Sequence, residues 1–572
     1  MIRAAFAATV LSLALAGCAS RSAGPAAAGS VPVDVQILAF NDFHGTLEPA
    51  AGSNGRIGST DAGGVAFLAT HLARLEATNP NTVIVTAGDS IGASTLLSGM
   101  FHDEPTIEAL AAAGVDLSTV GNHEFDEGWA ELYRMQVGGC HPADGCQDGT
   151  PFAGAGFEFL SANVALDPAA VDPAAMARSG WTPRGTGAQT LFPAYSVREI
   201  GGVRIGFIGL VLEGTPDIVS KAGLRGLTFR PEAEAGNEAV AALVAQGVQA
   251  IVVLIHEGGR PDSPDRNGCG VAGPIVAIAE GLSDEVDVIV SGHTHRSYIC
   301  TIANKLVTSA ESLGRLVTDI DLQIDRGTGE IISKRATNVI VTRDVAPDAA
   351  QEALMAHYRP FYGPLADRSV GTITQPLTRA TTPAGESAFG DIVADAFLEA
   401  GKGADARVVF AFINPGSLRS DLTGDAGAAG QPRQVRYVQA FDSLPFGNRV
   451  IVRSMTGEQI VRLLEQQFDN PEPGSAKILQ LSAGFTYAFD PARPAGQRID
   501  RGSIRIGGEP LDPARSYRVV SNDFVFGGGD AFAAATEATD PLDAGADSDV
   551  LIDYLMKHSP VAPGPQDRIT RR

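Results

Sequence analysis

The feature that most constrains this chain is a recurring unit: a short, almost wholly apolar run that ends abruptly in a polar cluster. Residues 35–40 run into Asn41-Asp42-Phe43-His44-Gly45, residues 82–87 into Gly88-Asp89, and residues 117–120 into Gly121-Asn122-His123-Glu124-Phe125-Asp126. Further along, residues 250–255 end in His256-Glu257, and residues 286–290 lead to Ser291-Gly292-His293-Thr294-His295. Residues 203–210 make a sixth run. Such near-continuous apolar runs predict strands buried on both faces. Predicted helices at 64–78, 104–113, 231–246 and 271–280 alternate with them, so the region reads as an α/β layer structure. Open α/β sheets bind ligands just beyond the carboxyl ends of their strands, and that is where the polar clusters fall.

Composition bounds what these layers can serve. Of the 572 residues 44% are apolar, enough for a large core, which excludes disorder for most of the chain. The 43 Lys and Arg against 66 Asp and Glu give a formal charge of −23. Such a balance excludes a protein that coats nucleic acid, since that binding rests on excess positive charge. A small anion can still bind, given metal ions or a few placed arginines. No internal repeat of solenoid length is present. A helix is predicted near 347–362, and a second alternation follows with helices near 387–400 and 456–467. The reading therefore divides the chain into a catalytic domain at 33–345, a linker helix at 346–366 and a second domain at 367–572.

The N-terminus reads as an export segment. Arg3 precedes an apolar run too short to span a bilayer, which ends in Leu15-Ala16-Gly17-Cys18. That ending resembles a bacterial lipobox, with residues 1–17 as signal peptide, Cys18 as the lipidated residue and 18–32 as a tether. Ala19 after the Cys fits outer-membrane sorting, so the expectation is an outer-membrane-anchored or periplasmic lipoprotein of a Gram-negative-type bacterium. The other cysteines are Cys140, Cys146, Cys269 and Cys300. An even number in an exported chain points to disulfides; a zinc site is the competing reading, but neither pair has CxxC spacing. Of the three pairings, Cys140–Cys146 and Cys269–Cys300 are favoured. The first closes a short loop and the second ties the loop after one polar cluster to the strand after another.

Carboxylate, amide and imidazole at five strand ends suit borderline divalent ions such as Zn, Mn or Fe. The ordered set Asp-x-His, Gly-Asp, Gly-Asn-His-Glu, His and Gly-His-x-His resembles the signature of calcineurin-like metallophosphoesterases. More narrowly, Asn41 to Gly45, Ala87 to Ser98, Gly121 to Gly128 and Gly292 to His295 resemble the 5′-nucleotidase family. The resemblance implies a four-layer αββα sandwich followed by a smaller α/β (α+β) substrate-binding domain. It also implies two divalent ions (Zn, Mn, Fe, Co or Ca) bridged by one carboxylate. Asp42, His44, Asp89 and His295 would hold one, and Asp89, Asn122, His256 and His293 the other. Some relatives have Gln where His295 stands, which leaves metal preference open. By the same resemblance His123 faces the substrate phosphate and Asp126 holds its other ring nitrogen. Glu124 and Glu257 read as structural. His71, His102, His141, His357 and His558 lack matching partners in the sequence and read as solvated or packing residues.

In the second domain, Asn414-Pro415-Gly416-Ser417-Leu418-Arg419 resembles the family's Asn-x-Gly-x-x-Arg segment. It implies a phosphate contact at Arg419, whose planar donor fork suits phosphate oxygens, with Asn414 and Gly416 beside it. Phe446 and Phe524 would stack on a base, and Asp530 would accept ribose hydroxyl protons. Phe526 reads as packing. The stretch Thr381 to Gly390 lacks a second phosphate-binding Arg found in many relatives, and Arg379 lies near but out of line. Nucleoside monophosphates or cyclic monophosphates are therefore the safer substrates. The leading expectation is a metal-dependent 5′-nucleotidase acting as a monomer on small nucleotides. The alternatives are a 2′,3′-cyclic nucleotide phosphodiesterase, a UDP-sugar hydrolase or sulfur-transferring relative, or an inactive nucleotide-binding lipoprotein.

Overall fold

The computed structural model describes residues 31–428, 430–470 and 474–572. The expected signal peptide, Cys18 and most of the tether lie outside the described residues. No helix among the described residues is long and apolar enough to cross a membrane.

Two six-stranded sheets form the centre of the first domain. One runs Ile331–Ile340, Leu316–Ile324, Val33–Phe40, Thr82–Thr86, Leu117–Thr119, Glu158–Leu160. The other runs Ser297–Ile302, Lys305–Ala310, Val288–Ser291, Ala250–His256, Val203–Val211, Tyr195–Ile200. Alternation within a single strand explains the layering. Val35, Ile37 and Ala39 point into the core between the sheets, with Val252, Leu254 and Val290 facing them. Leu38 and Phe40 point the other way, into a helical layer with Leu68, Leu72 and Leu110. Ile251, Val253 and Ile255 meet helices Glu232–Ala245 and Pro274–Gly281 on the far side. The arrangement is helix, sheet, sheet, helix, as expected. The apolar runs lack polar alternation because both of their faces are covered.

Parallel pairing aligns the strand ends. Phe40 lies opposite Thr86, Thr86 opposite Ser118, and in the second sheet Ile255 lies opposite Ser291. The polar clusters that follow therefore emerge side by side at one edge of the sandwich. Helix Ala349–Ala366 starts on Asp348, whose carboxylate accepts from the N–H groups of Ala350 and Gln351. It packs on the first domain: Gln351 donates to Ala109 O, Tyr358 to Glu108, and Tyr362 to Glu48.

The second domain is built on a five-stranded sheet in the order Gln480–Leu481, Val408–Ile413, Ser516–Asn522, Arg449–Thr456, Thr539–Ala546. Ala411 and Ile413 face helices Ala388–Ala404 and Asp547–His558, whereas Phe410 and Phe412 face helix Gly457–Glu465 and a four-stranded sheet. Both expected disulfides are present. Cys140–Cys146 and Cys269–Cys300 have Cα separations of 4.7 and 5.0 Å.

Candidate metal centre and active site

The clusters at the strand ends converge on one point. Asp42 turns one carboxylate oxygen, Oδ2, to Asn41 Nδ2 (2.6 Å) and to the His293 N–H (3.0 Å), which leaves Oδ1 free to face inward. Asp89 repeats the device: Oδ1 accepts from the His123 N–H at 2.9 Å, and Oδ2 faces inward. His256 Nε2 stands 3.0 Å from Asp89 Oδ2, and His295 Nε2 3.1 Å from Asp42 Oδ1. His44 Nε2 lies 3.0 Å from His295 Nε2 and 3.8 Å from Asp89 Oδ2.

The tautomers follow from the outer contacts. The backbone carbonyls of Gly92 and Ala87 accept from Nδ1 of His44 (2.9 Å) and His256 (2.8 Å), so each ring turns Nε2 toward the cluster. Burial opposes a charge on the His256 ring, but the Asp89 and Asp42 carboxylates outweigh it and push its pKa up to about 10. Burial, together with the Arg419 charge, holds the His44 pKa well below its ordinary value; burial and the His256 charge bring His293 down to about 3. Neutral imidazole is the form a metal requires.

The donor set passes a direct test of fit. Asp42 Oδ1, Asn122 Oδ1 and His256 Nε2 are buried and have no hydrogen-bond partner. Buried polar atoms in folded proteins are as a rule hydrogen-bonded, and Asp42 Oδ1 and His256 Nε2, 4.0 Å apart, are left as ligand atoms for a cation between them. The backbone carries strain at the same place. Asp42, His44, Asp89, His293 and His295 all have φ between 49° and 68°, at roughly 1–3 kcal/mol each. Two glycines permit the crowding. A Cβ at Gly121 would collide with the Asp89 carboxylate, and one at Gly292 would lie 2.9 Å from Ala87 O and 3.0 Å from Asp42 Oδ2. Glu124 ties two of the loops together, accepting from the N–H groups of Asp89 (2.9 Å), Ser90 (2.8 Å) and Gly121.

His123 stands at the partly exposed edge of the cluster, one ligand atom each of His123, His44 and Asp89 lying within 4.8 Å of one another. Its Nδ1 meets Asp126 Oδ2 at 2.8 Å. Burial opposes a charge on this ring, but the Asp126 and Asp89 carboxylates outweigh it and raise its pKa.

The second domain closes over this point. Arg419 Nη2 reaches 3.2 Å from His44 Nε2, and Arg419 lies over the Phe446 ring, 5.6 Å from its centroid. Phe446 in turn stacks 5.7 Å from His123. A cavity of about 1180 Å³ is lined jointly by Asp89, His123, Arg419, Phe446, Phe524 and Asp530. Asn414 and Gly416 also line it, and Asn414 Nδ2 donates to Asp530 Oδ2 at 2.8 Å. Phe524 lies flat against Gly529, where a Cβ would strike its ring. Phe526 is buried and meets Phe412 edge-on, a packing residue as expected.

Other contacts were not legible in the sequence. Lys477 Nζ donates to Asp530 Oδ1 at 2.5 Å, from a position with no motif around it. Arg379 does not line the cavity; it donates to Leu418 O and to Asn54 Oδ1, while Asn54 Nδ2 donates to Arg419 O. The histidines read as solvated or packing have partners: Thr342 O for His71, Glu127 and Asp144 for His102, Asp148 for His357 and Glu399 for His558.

A two-sheet sandwich whose strand ends gather carboxylates and imidazoles defines a metal-dependent phosphoesterase. Residues 35–297 match the family model of calcineurin-like phosphoesterases, and residues 369–537 that of the 5′-nucleotidase C-terminal domain. A cell wall protein of Listeria monocytogenes is 32% identical over 93% of this chain and 68% of its own length. An endonuclease of Bacillus subtilis is 28% identical over 86% of this chain, which spans 37% of that longer protein. The crystal structure of a 5′-nucleotidase precursor from Thermus thermophilus superposes with a TM-score of 0.75 at 26% identity, covering 94% of this chain and 99% of that one. The chain belongs to the 5′-nucleotidase family of calcineurin-like phosphoesterases, hydrolases that use a dimetal centre.

Proposed function

We propose that the protein hydrolyses nucleoside 5′-monophosphates to nucleoside and phosphate. The observation that carries this reading is the shared cavity, in which the metal-type cluster of one domain and the Phe446, Phe524 and Asp530 side chains of the other face the same space. Asp42, His44, Asp89 and His295 would hold one divalent ion, and Asp89, Asn122, His256 and His293 the other. When bound, such a pair supplies hydroxide near neutral pH and steadies the attacking and leaving oxygens. Arg419 would grip a phosphate oxygen with its planar fork. His123, oriented by Asp126, would meet the charge that develops on the phosphoryl group or protonate the leaving 5′-oxygen. Phe446 and Phe524 would stack on the base, while Asp530, held by Asn414 and Lys477, would receive the ribose hydroxyls.

Export as a lipid-anchored protein through Cys18 belongs to the same proposal. The apolar N-terminal run before Cys18 and the two disulfides support it, as does the resemblance to a cell wall protein. Cleavage of phosphodiesters is the second reading, favoured by the absence of a second arginine from the stretch 381–390 and by the name of the endonuclease relative.

The test is phosphate release from AMP, ATP, UDP-glucose, 2′,3′-cyclic AMP and bis(p-nitrophenyl) phosphate with Mn, Zn, Co or Ca. AMP should be turned over best; a preference for the diesters would favour the second reading, and no turnover at all would reject both. Phe524→Ala should raise the KM for AMP about five- to 150-fold, from roughly 1–3 kcal/mol of stacking. It should leave bis(p-nitrophenyl) phosphate nearly unaffected, and equal losses on both substrates would count against stacking.

A further inference from the structure

A second cluster of metal-binding side chains lies on the wall of the same cavity, apart from the ligands at the strand ends. One nitrogen each from His102 and His141 and one carboxylate oxygen each from Glu127 and Glu131 lie within 4.8 Å of one another. The two imidazoles are stacked, with centroids 3.6 Å apart and planes 14° from parallel. Glu127 Oε2 is 2.8 Å from His102 Nδ1, and Asp144 Oδ2 lies 2.9 Å from His102 Nε2 and 3.4 Å from His141 Nδ1. His102, Glu127 and Glu131 line the cavity, so an ion has a path to them. The disulfide Cys140–Cys146 closes the loop that carries His141 and Asp144.

We propose that His102, His141, Glu127 and Glu131 form a third divalent-metal site, selective for a borderline ion such as zinc. Two imidazoles with two carboxylates make a mixed N/O set suited to zinc rather than to calcium or magnesium, which take oxygen ligands. Zinc at about 2.1 Å from each donor would space them roughly 3.4 Å apart, so side-chain movements of about an ångström complete the site. The charge also fits. Glu127, Glu131 and Asp144 gather here, and Arg134 is bound to Glu131 and to Glu104. Burial opposes protonation of His102, yet hydrogen bonds and charge from Glu127 and Asp144 push its pKa up to about 9. Glu127 directly follows Asp126, the partner of His123, so the ion would fasten that turn to the disulfide loop.

The test counts metal on the full chain, stripped with chelator and re-equilibrated in micromolar zinc. Native mass spectrometry should find three zinc ions in the wild type and two in His141→Ala. Two in both proteins, or three in both, would overturn the site. Should His141→Ala fail to fold, calorimetry of zinc binding to the wild type decides the matter. A third binding event is expected, and saturation after two overturns the proposal.

Discussion

His123 is placed between two sets of contacts. Its ring meets Asp126 through Nδ1 and stacks near Phe446, while its backbone N–H fixes the Asp89 carboxylate. Removing the side chain leaves that backbone bond intact. His123→Ala is therefore expected to lower kcat on AMP by about 10²–10⁴-fold, the usual contribution of a positioned acid or base, while metal content stays at the wild-type level. Metal analysis beside steady-state kinetics checks this, and parallel loss of both would make His123 a ligand instead. At this scale residue type was legible, because only a few side chains can bind divalent ions and they recur at the strand ends. Orientation was not. Which ring nitrogen of His44 faces inward is set by Gly92 O, a carbonyl 48 positions away.

Helices and strands fall close to where the apolar spacing put them. The helix predicted at 104–113 is Glu104–Ala112, and the one predicted at 387–400 is Ala388–Ala404, started by Ser387. Caps and apolar periodicity are local signals, so they survive folding unchanged. The helix Asp547–His558 shows what local pattern does not reveal. Its first residue is fully buried, with Oδ1 accepting from the Ser548 N–H at 2.7 Å and Oδ2 left without a partner. Burial pushes this carboxyl up to about 8 from an ordinary value of 3.8. The folded state therefore holds the proton more tightly than the unfolded chain does. Below pH 3.8 both states are protonated and no penalty arises; as pH rises toward 8 the unfolded chain gains by ionising, and stability falls. Asp547→Asn should flatten the thermal-stability profile between pH 5 and 8 and raise Tm at pH 8, by about 2–4 °C per kcal/mol recovered. A profile unchanged from wild type would show that the carboxyl ionises freely in the fold.

The active cavity exists only for the molecule as a whole. Arg419 reaches His44 across 375 positions of sequence, and the loop carrying Arg419 is held from the first domain by Asn54, which donates to Arg419 O and accepts from Arg379. Asn54→Ala removes both bonds without touching the metal-type cluster. At about 0.5–1.5 kcal/mol for each net hydrogen bond, the two together are worth about 1–3 kcal/mol, and KM for AMP should rise roughly five- to 150-fold with metal content unchanged. An unaltered KM would mean that the loop is positioned by its own domain. The stretch 381–390 offered no second arginine, and the structure accounts for the nearby one: Arg379 supports the Arg419 loop from behind rather than facing the cavity.

The sequence by itself determined the chemistry and the layers. Apolar runs without alternation required strands covered on both faces, and the polar residues at their ends could only gather at one edge once those strands paired in parallel. Tertiary structure alone decided the contacts between residues far apart in the chain. It set Lys477 on Asp530, stacked His102 on His141 and brought Arg419 against His44. Each of these depends on how two separately folded segments pack, and the spacing of residues within either segment carries no record of that.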